Sequence, residues 1–175
     1  MSTAREFDIV IYGATGFTGR LVAEYMIAKQ GHGLRWAMAG RSADKLASVR
    51  DEIGAPGDTP LVVADAGDPA SVRAMVGKAR CIISTVGPYQ LYGTDLVAAC
   101  AELGTDYVDL SGEPLWMHDM IATYHDAAVA SGARIVHSRG FDSLPFDPGV
   151  LLLQDASREK LEHGRAPGRA SGGRG

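Results

Sequence analysis

The chain has 175 residues, of which 46% are hydrophobic, and a formal net charge of −4 at pH 7. This length predicts one domain, and the acidic balance argues against a general nucleic-acid-binding protein, which is usually basic. No apolar run approaches the roughly 20 residues that cross a bilayer, and the polar residues 1–8 do not resemble a signal peptide, so we expect a cytoplasmic protein.

The first predicted strand, residues 8–12, leads into a glycine turn and then a helix. Gly13, Gly16 and Gly19 have the spacing G-x-x-G-x-x-G. Such a turn sets unpaired backbone N–H groups and the positive end of a helix dipole against a phosphate. We expect Gly13 to adopt backbone angles that a side chain forbids, Gly16 to admit a pyrophosphate and Gly19 to pack the helix on the strand. A turn that binds nothing is the alternative. The predicted phosphate-binding residues are Gly13, Ala14, Thr15, Gly16, Phe17, Thr18 and Gly19.

Helices and strands are predicted to alternate along the rest of the chain. Helices are predicted for residues 17–30, 43–53, 69–76, 94–103 and 114–130, and strands for residues 8–12, 35–39, 61–64, 81–85, 107–110 and 134–137. The strand at 61–64 has no polar alternation, which predicts cover on both faces. Strands separated by helices of this length predict an α/β fold with a parallel, doubly wound sheet. Right-handed crossovers then bring the C-terminal ends of the strands to one ligand-binding edge.

The end of the second strand predicts which dinucleotide binds. Gly40 occupies the position where NAD-binding domains carry a carboxylate for the ribose, and Arg41 follows it. A guanidinium can hold a 2′-phosphate through two charge-assisted hydrogen bonds, and Ser42 can add a hydroxyl. This pattern favours NADP(H) over NAD(H). The alternative is that Arg41 is a solvated residue at a helix start. Asp65, after the third strand, either accepts a hydrogen bond from the adenine amino group or caps the next turn.

The loop after the fourth strand is expected at the same edge, along the nicotinamide ribose. Its glycine permits close approach, and the proline that follows stiffens the loop. Tyr89 and Tyr92 either pack in the fold or contact the nicotinamide or a substrate. The residues of this loop predicted to contact the cofactor are Thr85, Val86 and Gly87.

No metal site is predicted. Cys81 and Cys100 are expected to be buried free thiols rather than a disulfide or metal ligands. His118 and His125 lie two turns apart on the longest predicted helix, and no third ligand with suitable spacing accompanies them.

No catalytic residue is identified. Tyr25 and Lys29 have the Tyr-x-x-x-Lys spacing of the short-chain dehydrogenase pair, but they fall in the first helix, where we expect Tyr25 in the core and Lys29 at the surface. His137 either has a structural role or approaches the cofactor end of the sheet. Asp109 and Glu113 are either polar contacts at the site or caps for the helix that follows.

Several strings together resemble the saccharopine-dehydrogenase-like oxidoreductases, and in particular their mycobacterial trans-acting enoyl reductase subfamily. The likeness covers about residues 7–153. It implies a Rossmann-like NADP-binding domain and a reductase that acts on a carbon–carbon double bond of a polyketide-derived lipid precursor, presented in trans by a polyketide synthase. The strings are YGATGFTGRLVAEYM, AGRSADKL, STVGPYQLYG, AACAELGTDYVDLSGE and RGFDSLPFDPGV.

The sequence departs from this family in length. Family members are more than twice as long and carry a second α/β region that is expected to form most of the substrate pocket. Here residues 1–153 are predicted to form the dinucleotide-binding domain, and residues 154–175 a helix remnant and a disordered, Gly/Arg-rich tail. An apolar face left open would favour a homodimer. The functional alternatives are a non-catalytic NADP-binding remnant or sensor and a saccharopine-type dehydrogenase.

Overall fold

The structure, a computed structural model, describes residues 5–29 and 33–164. The chain divides into two compact units, Met1–Gly140 and Phe141–Gly175. The first unit contains a six-stranded sheet, and the second contains one long helix. The domain boundary expected at residue 153 stays a prediction.

The six strands form one parallel sheet with the order β3-β2-β1-β4-β5-β6. In β1, Ile11 is in register with Met38 of β2 on one side and Ile83 of β4 on the other. The chain therefore winds outward in both directions from the centre, and the predicted doubly wound α/β fold is confirmed. The strands are β1 (Phe7–Tyr12), β2 (Trp36–Gly40), β3 (Leu61–Val63), β4 (Ala79–Ser84), β5 (Asp106–Asp109) and β6 (Ile135–Val136).

Helices connect the strands close to where the sequence predicts them. The short helix α4 was not predicted, because four residues are too few to show a helical period. The helix α7, in the second unit, begins upstream of the helix remnant predicted after residue 153. Residues 165–175, for which disorder was predicted, lie outside the described residues. The helices are α1 (Phe17–Lys29), α2 (Ala43–Glu52), α3 (Pro69–Lys78), α4 (Tyr89–Tyr92), α5 (Thr94–Leu103), α6 (Pro114–Ser131) and α7 (Phe146–Gly164).

Two apolar cores flank the sheet of the first unit. Successive residues of β1 alternate between them, since side chains of a strand point to opposite faces. Val10 and Tyr12 pack in a cluster with residues of α3, α5 and α6, while Ile11 packs in a cluster with residues of α1 and α2. The strand β3 lies at an edge of the sheet and is not covered by helices on both faces, since its Val63 is 55% exposed. The expectation of cover on both faces was wrong there, because apolar composition does not reveal that a strand lies at an edge.

The buried face of α1 also differs from the sequence prediction. The sequence pattern places Leu21, Val22, Tyr25 and Met26 on one face. Met26 is buried as expected, whereas Leu21 and Tyr25 are exposed and Gly19 and Ala23 are buried in their place. A Cβ on Gly19 would overlap the carbonyl oxygen of Gly13, so the helix packs there directly against the backbone of the turn. The close approach favours small residues such as Gly19 and Ala23 on this face, and Leu21 and Tyr25 lie at the surface. The placement of Tyr25 in the core was therefore wrong.

A buried carboxylate ties β5 to the segment that follows β6. One oxygen of Asp109, Oδ1, accepts from the backbone N–H groups of Ser111 (3.0 Å) and Ser138 (2.8 Å). The other, Oδ2, accepts from the Tyr107 hydroxyl at 2.8 Å and lies 2.6 Å from Nδ1 of His137. The network gives His137 a structural role, which was one of the two interpretations of the sequence.

These hydrogen bonds keep Asp109 ionised. Burial alone would raise the pKa of its carboxyl, but hydrogen bonds from His137 and from the backbone of Ser111 and Ser138 outweigh burial, and the pKa lies below its ordinary value. A carboxylate can only accept hydrogen bonds. Nδ1 of His137 must therefore carry the hydrogen in this pair.

We expect Gly19→Ala to destabilise the protein by about 1–3 kcal/mol, because the added methyl group forces α1 away from the turn. The matched control is Gly77→Ala in α3, where an added Cβ meets no atom within 4 Å among the described residues. There alanine should stabilise the helix by about 0.5–1 kcal/mol. Urea unfolding measures both changes, and equal changes of the same sign would contradict the close-packing argument.

We expect Asp109→Asn to lower the free energy of unfolding at pH 7 by about 1.5–3 kcal/mol, since hydrogen bonds to a charged group are lost. Because the folded-state pKa is depressed, this contribution is complete above the ordinary value of 3.8 and is lost as the pH falls through the lower folded-state value. The difference in the free energy of unfolding between Asp109→Asn and wild type, measured by urea titration, should therefore be smaller at pH 3 than at pH 7.

The control for this variant is Asp68→Asn. Asp68 caps α3 from an exposed position, and asparagine is an equally good cap, so its effect should be near zero at both pH values. A pH-independent effect of Asp109→Asn would show that the carboxylate charge does not stabilise the fold.

Candidate functional site

A cavity of about 410 Å³ opens at the C-terminal ends of four neighbouring strands, β1 to β4. It lies beside β1 and β4, where the strand order reverses. Open α/β sheets bind ligands at such a switch point. Its wall is formed by Tyr12, Gly13, Thr15, Gly16, Gly40, Arg41, Ala64, Asp65, Ala66, Thr85, Val86, Gly87 and Tyr92.

Most of the predicted cofactor-binding residues meet in this cavity. Those that line it are Gly13, Thr15, Gly16, Arg41, Asp65, Thr85, Val86 and Gly87. The others are not part of the wall: Ala14 and Gly19 are buried in the packing of the turn, Phe17 and Thr18 are exposed in the first turn of α1, and Ser42 caps α2. Direct cofactor contacts of individual residues stay predictions.

The glycine turn brings the start of α1 to the cavity wall. Gly13 has a φ of +92°, and a Cβ there would lie 2.6 Å from Oγ1 of Thr85 and 2.9 Å from Cγ2 of Val86. The N–H of Gly16 donates to the carbonyl of Gly13 at 2.9 Å, and α1 begins at the next residue, Phe17. A helix start beside a cavity places unpaired N–H groups and a positive dipole end next to any anion bound there.

Arg41 supplies a cationic side chain at the other side of the turn. It is exposed, and no partner for its guanidinium exists among residues 5–29 and 33–164. Of the described residues in the wall, Arg41 is the only basic one and Asp65 the only acidic one. The hydroxyl of Ser42 accepts from the N–H of Lys45 at 3.3 Å and caps α2. The guanidinium is therefore available to a phosphate.

Asp65 shapes its own turn as well as the cavity. Its Oδ1 accepts from the N–H of Gly67 at 2.9 Å, so the turn-capping alternative is confirmed. Burial, and then the charge of Asp65, raise the pKa of Tyr12 to about 12. Tyr12 thus remains a neutral hydroxyl in the wall. Sequence analysis missed it as a site residue, although its position as the last strand residue before Gly13 was the available signal.

The two loop tyrosines have different environments. Tyr89 is buried, and its hydroxyl donates to the carbonyl of Ser84 at 3.0 Å, so it packs within the fold. The N–H groups of Tyr89 and Gln90 donate to the two carboxylate oxygens of Glu113 at 2.7 and 2.8 Å. Glu113 therefore caps α4 with its side chain rather than α6. Tyr92 lines the cavity.

The described part of the chain contains no group of three or more His, Cys, Asp or Glu residues that could hold a metal ion. Cys81 and Cys100 are free thiols, and burial raises the pKa of Cys81 to about 11 and that of Cys100 still further. No helix over the same residues has the length and apolar character to span a bilayer.

Comparisons with known proteins agree with this geometry. The family model described as "Saccharopine dehydrogenase NADP binding domain" matches residues 9–136. The chain is 50% identical over 150 residues to a trans-acting enoyl reductase of Mycobacterium leprae, covering 85% of this chain and 36% of that protein. It is 49% identical over 156 residues to a trans-acting enoyl reductase of Mycobacterium tuberculosis, covering 89% of this chain and 37% of that protein. The chain thus spans little more than a third of the length of these relatives.

Solved structures share the fold at low sequence identity. Saccharopine dehydrogenase (L-Glu forming) from Saccharomyces cerevisiae matches with a TM-score of 0.63 at 17% identity, over 78% of this chain and 28% of that one. Triphenylmethane reductase from Citrobacter sp., solved with NADP(H), matches with a TM-score of 0.54 at 18% identity, over 75% and 48% of the two chains. The family match confirms the prediction of NADP(H) as the cofactor, and this chain belongs to the saccharopine dehydrogenase NADP-binding domain family.

Proposed function

We propose that this domain holds NADP(H) for the reduction of a carbon–carbon double bond in an acyl substrate. The NADP(H) proposal rests on Arg41, which has no partner among residues 5–29 and 33–164 and lies beside a glycine-walled cavity. Gly40 stands where a carboxylate would repel a 2′-phosphate. The diphosphate would lie against Gly13 and Gly16 at the start of α1, and the 2′-phosphate against Arg41.

The wall residues suit the remaining parts of a dinucleotide. The free oxygen of Asp65 is proposed to accept from the adenine amino group, since Oδ1 already caps the turn. Thr85, Val86 and Gly87 would line the nicotinamide ribose. The hydroxyl of Tyr12, kept neutral by burial, can donate a hydrogen bond without adding a charge that repels the phosphates.

The chemistry would come from the cofactor, which supplies a hydride when bound. The chain's own residues bind and orient it and exclude water from the edge of the sheet. Relatives that are about half identical are named trans-acting enoyl reductase, which supports enoyl reduction as the activity of the whole protein. We extend this to a polyketide-derived lipid precursor presented by a polyketide synthase. A cytoplasmic location and a homodimer stay predictions.

The cofactor proposal is tested by titrating the protein with NADPH and NADH, following nicotinamide fluorescence. The wild-type protein should bind NADPH more tightly than NADH. Arg41→Ala should weaken NADPH binding about 10- to 100-fold, as expected for losing about 1.5–3 kcal/mol of charge-assisted hydrogen bonding. NADH affinity should stay within about twofold, because NADH has no 2′-phosphate.

The matched control is Arg73→Ala. Arg73 pairs with Glu102 on the surface and does not line the cavity, so neither affinity should change. Equal affinities of wild type for the two dinucleotides, or an equal loss of both in Arg41→Ala, would overturn the assignment of Arg41.

The activity proposal is tested by following NADPH oxidation at 340 nm with a 2-enoyl thioester. Oxidation should exceed the protein-free blank and require the thioester, and Gly13→Val should abolish it, because a side chain there collides with Thr85 and Val86. Far-UV circular dichroism checks that the variant folds. NADPH binding without thioester-dependent oxidation would favour the non-catalytic alternative.

A further inference from the structure

The wall of the cofactor cavity includes a tyrosine that the proposed function does not use. Tyr92, on the one-turn helix α4, lines the cavity and is 44% exposed. Tyr12, the other aromatic residue described in the wall, is only 2% exposed. Aromatic side chains bury a large apolar area when a ligand packs on them, and ligand cavities use them in this way. Tyr92 is therefore a candidate contact for a flat ring of the cofactor.

The helix α4 is fixed at both of its ends. At its start, the two carboxylate oxygens of Glu113 accept from the N–H groups of Tyr89 at 2.7 Å and Gln90 at 2.8 Å. At its end, a Cβ on Gly93 would lie 2.6 Å from Cζ2 of Trp116, so the backbone there packs directly against the indole ring. This one-turn helix is therefore held in place without a ligand, and binding requires little further ordering of it.

The two helices α3 and α5 show which part of the cavity Tyr92 occupies. They pack side by side, with residues of both in one apolar cluster and an ion pair between Arg73 and Glu102. Each follows a strand of the parallel sheet, so each begins at the edge where the strands end. Asp65 and Ala66 come shortly before α3, and Tyr92 comes shortly before α5. These three residues therefore line the same part of the cavity.

The proposed binding mode places the adenine beside Tyr92. The described wall takes residues from the ends of β1 to β4 and none from the end of β5. The adenine lies next to the end of β3 in this mode, because its amino group donates to Asp65. The adenine is consequently the flat ring of the cofactor that is nearest to Tyr92.

We propose that Tyr92 forms the surface on which the adenine base of NADP(H) packs, and that Glu113 is the positioning residue that holds α4 for this contact. This role rests on the proposed function, since it requires NADP(H) in the cavity. The site then divides recognition among three side chains. Asp65 binds the amino group of the base, Arg41 binds the 2′-phosphate and Tyr92 contacts the flat ring.

The contact is tested by calorimetric titration with NADPH and with adenosine 2′,5′-bisphosphate, which carries the adenine and the 2′-phosphate but no nicotinamide. Tyr92→Ala should weaken the binding of both ligands by the same factor, about 5- to 150-fold, which is the usual effect of removing an aromatic ring beneath a base. Tyr92→Phe keeps the ring, so both affinities should stay within about twofold of wild type.

The matched control is Leu91→Ala. Leu91 is exposed on α4 next to Tyr92 and does not line the cavity, so both affinities should be unchanged. Far-UV circular dichroism checks that each variant folds.

A double-mutant cycle tests the role of Glu113. Glu113→Gln leaves one of the two N–H groups without a carboxylate oxygen, so it should weaken binding of the bisphosphate about threefold or more. In the Tyr92→Ala background the same change should have almost no effect on binding, because Glu113 acts through Tyr92. The loss of stability in urea should be equal in both backgrounds, which separates positioning from a purely structural role.

The outcomes distinguish this role from the proposed function. If neither ligand binds the wild-type protein, the proposed function fails and the adenine contact fails with it. If both bind but Tyr92→Ala weakens only NADPH, or weakens neither ligand, the proposed function stands and the adenine contact is overturned. A Glu113→Gln effect on binding that persists in Tyr92→Ala would overturn the positioning role.

A wild-type measurement remains decisive where a variant does not fold. In ¹H–¹⁵N NMR spectra, the bisphosphate should shift the amide signals of residues 65–67 and 91–93 together, since both segments surround the base. Shifts at residues 65–67 without shifts at residues 91–93 would contradict the contact with Tyr92.

Discussion

The contact between the backbone of the first turn and the first helix is the constraint on which the rest of the molecule depends. A Cβ on Gly19 would overlap the Gly13 carbonyl, and a Cβ on Gly13 would collide with Thr85 and Val86. The start of α1 therefore meets the backbone of the turn with no side chain between them, and the side chains of Thr85 and Val86 pack directly against Gly13. This contact sets how close α1 lies to the sheet, and it places the helix start beside the cavity at the strand ends.

The ends of four strands and the loops that follow them form the wall of the cofactor cavity and determine its charge. Each of the four strands β1 to β4 contributes its last residues or the loop that follows, and most of the wall is neutral. In the proposed binding mode, NADP(H) would be attracted at two separated points, its diphosphate at the start of α1 and its 2′-phosphate at the guanidinium of Arg41. The Tyr12 hydroxyl, whose pKa is raised by burial and by Asp65, stays uncharged and therefore does not repel a bound anion.

On the other half of the sheet, the Asp109 carboxylate adds hydrogen bonds beside the short ladder between β5 and β6. β6 has only two residues, so its ladder with β5 is short. The Asp109 carboxylate accepts hydrogen bonds from His137 and from the backbone N–H of Ser138. The backbone carbonyl of Asp109 accepts a hydrogen bond from the N–H of Arg139 at 2.7 Å. The network that positions this edge strand also determines the tautomer of His137.

The sequence by itself determined the features that depend on residues adjacent in the chain. Periodicity predicted the bounds of α5 as observed, and the glycine spacing with Arg41 predicted a dinucleotide cavity and NADP(H). Only the tertiary structure decided which residues from distant segments become neighbours. Glu113 accepts hydrogen bonds from the N–H groups that begin α4, and Val63 is exposed because β3 is an edge strand. Nε2 of His137 is buried with no hydrogen-bond partner among the described residues. Local sequence patterns indicate the period of a helix or strand. The burial of a side chain, its hydrogen-bond partners and its pKa depend instead on the order of the strands and on how closely the backbones approach each other.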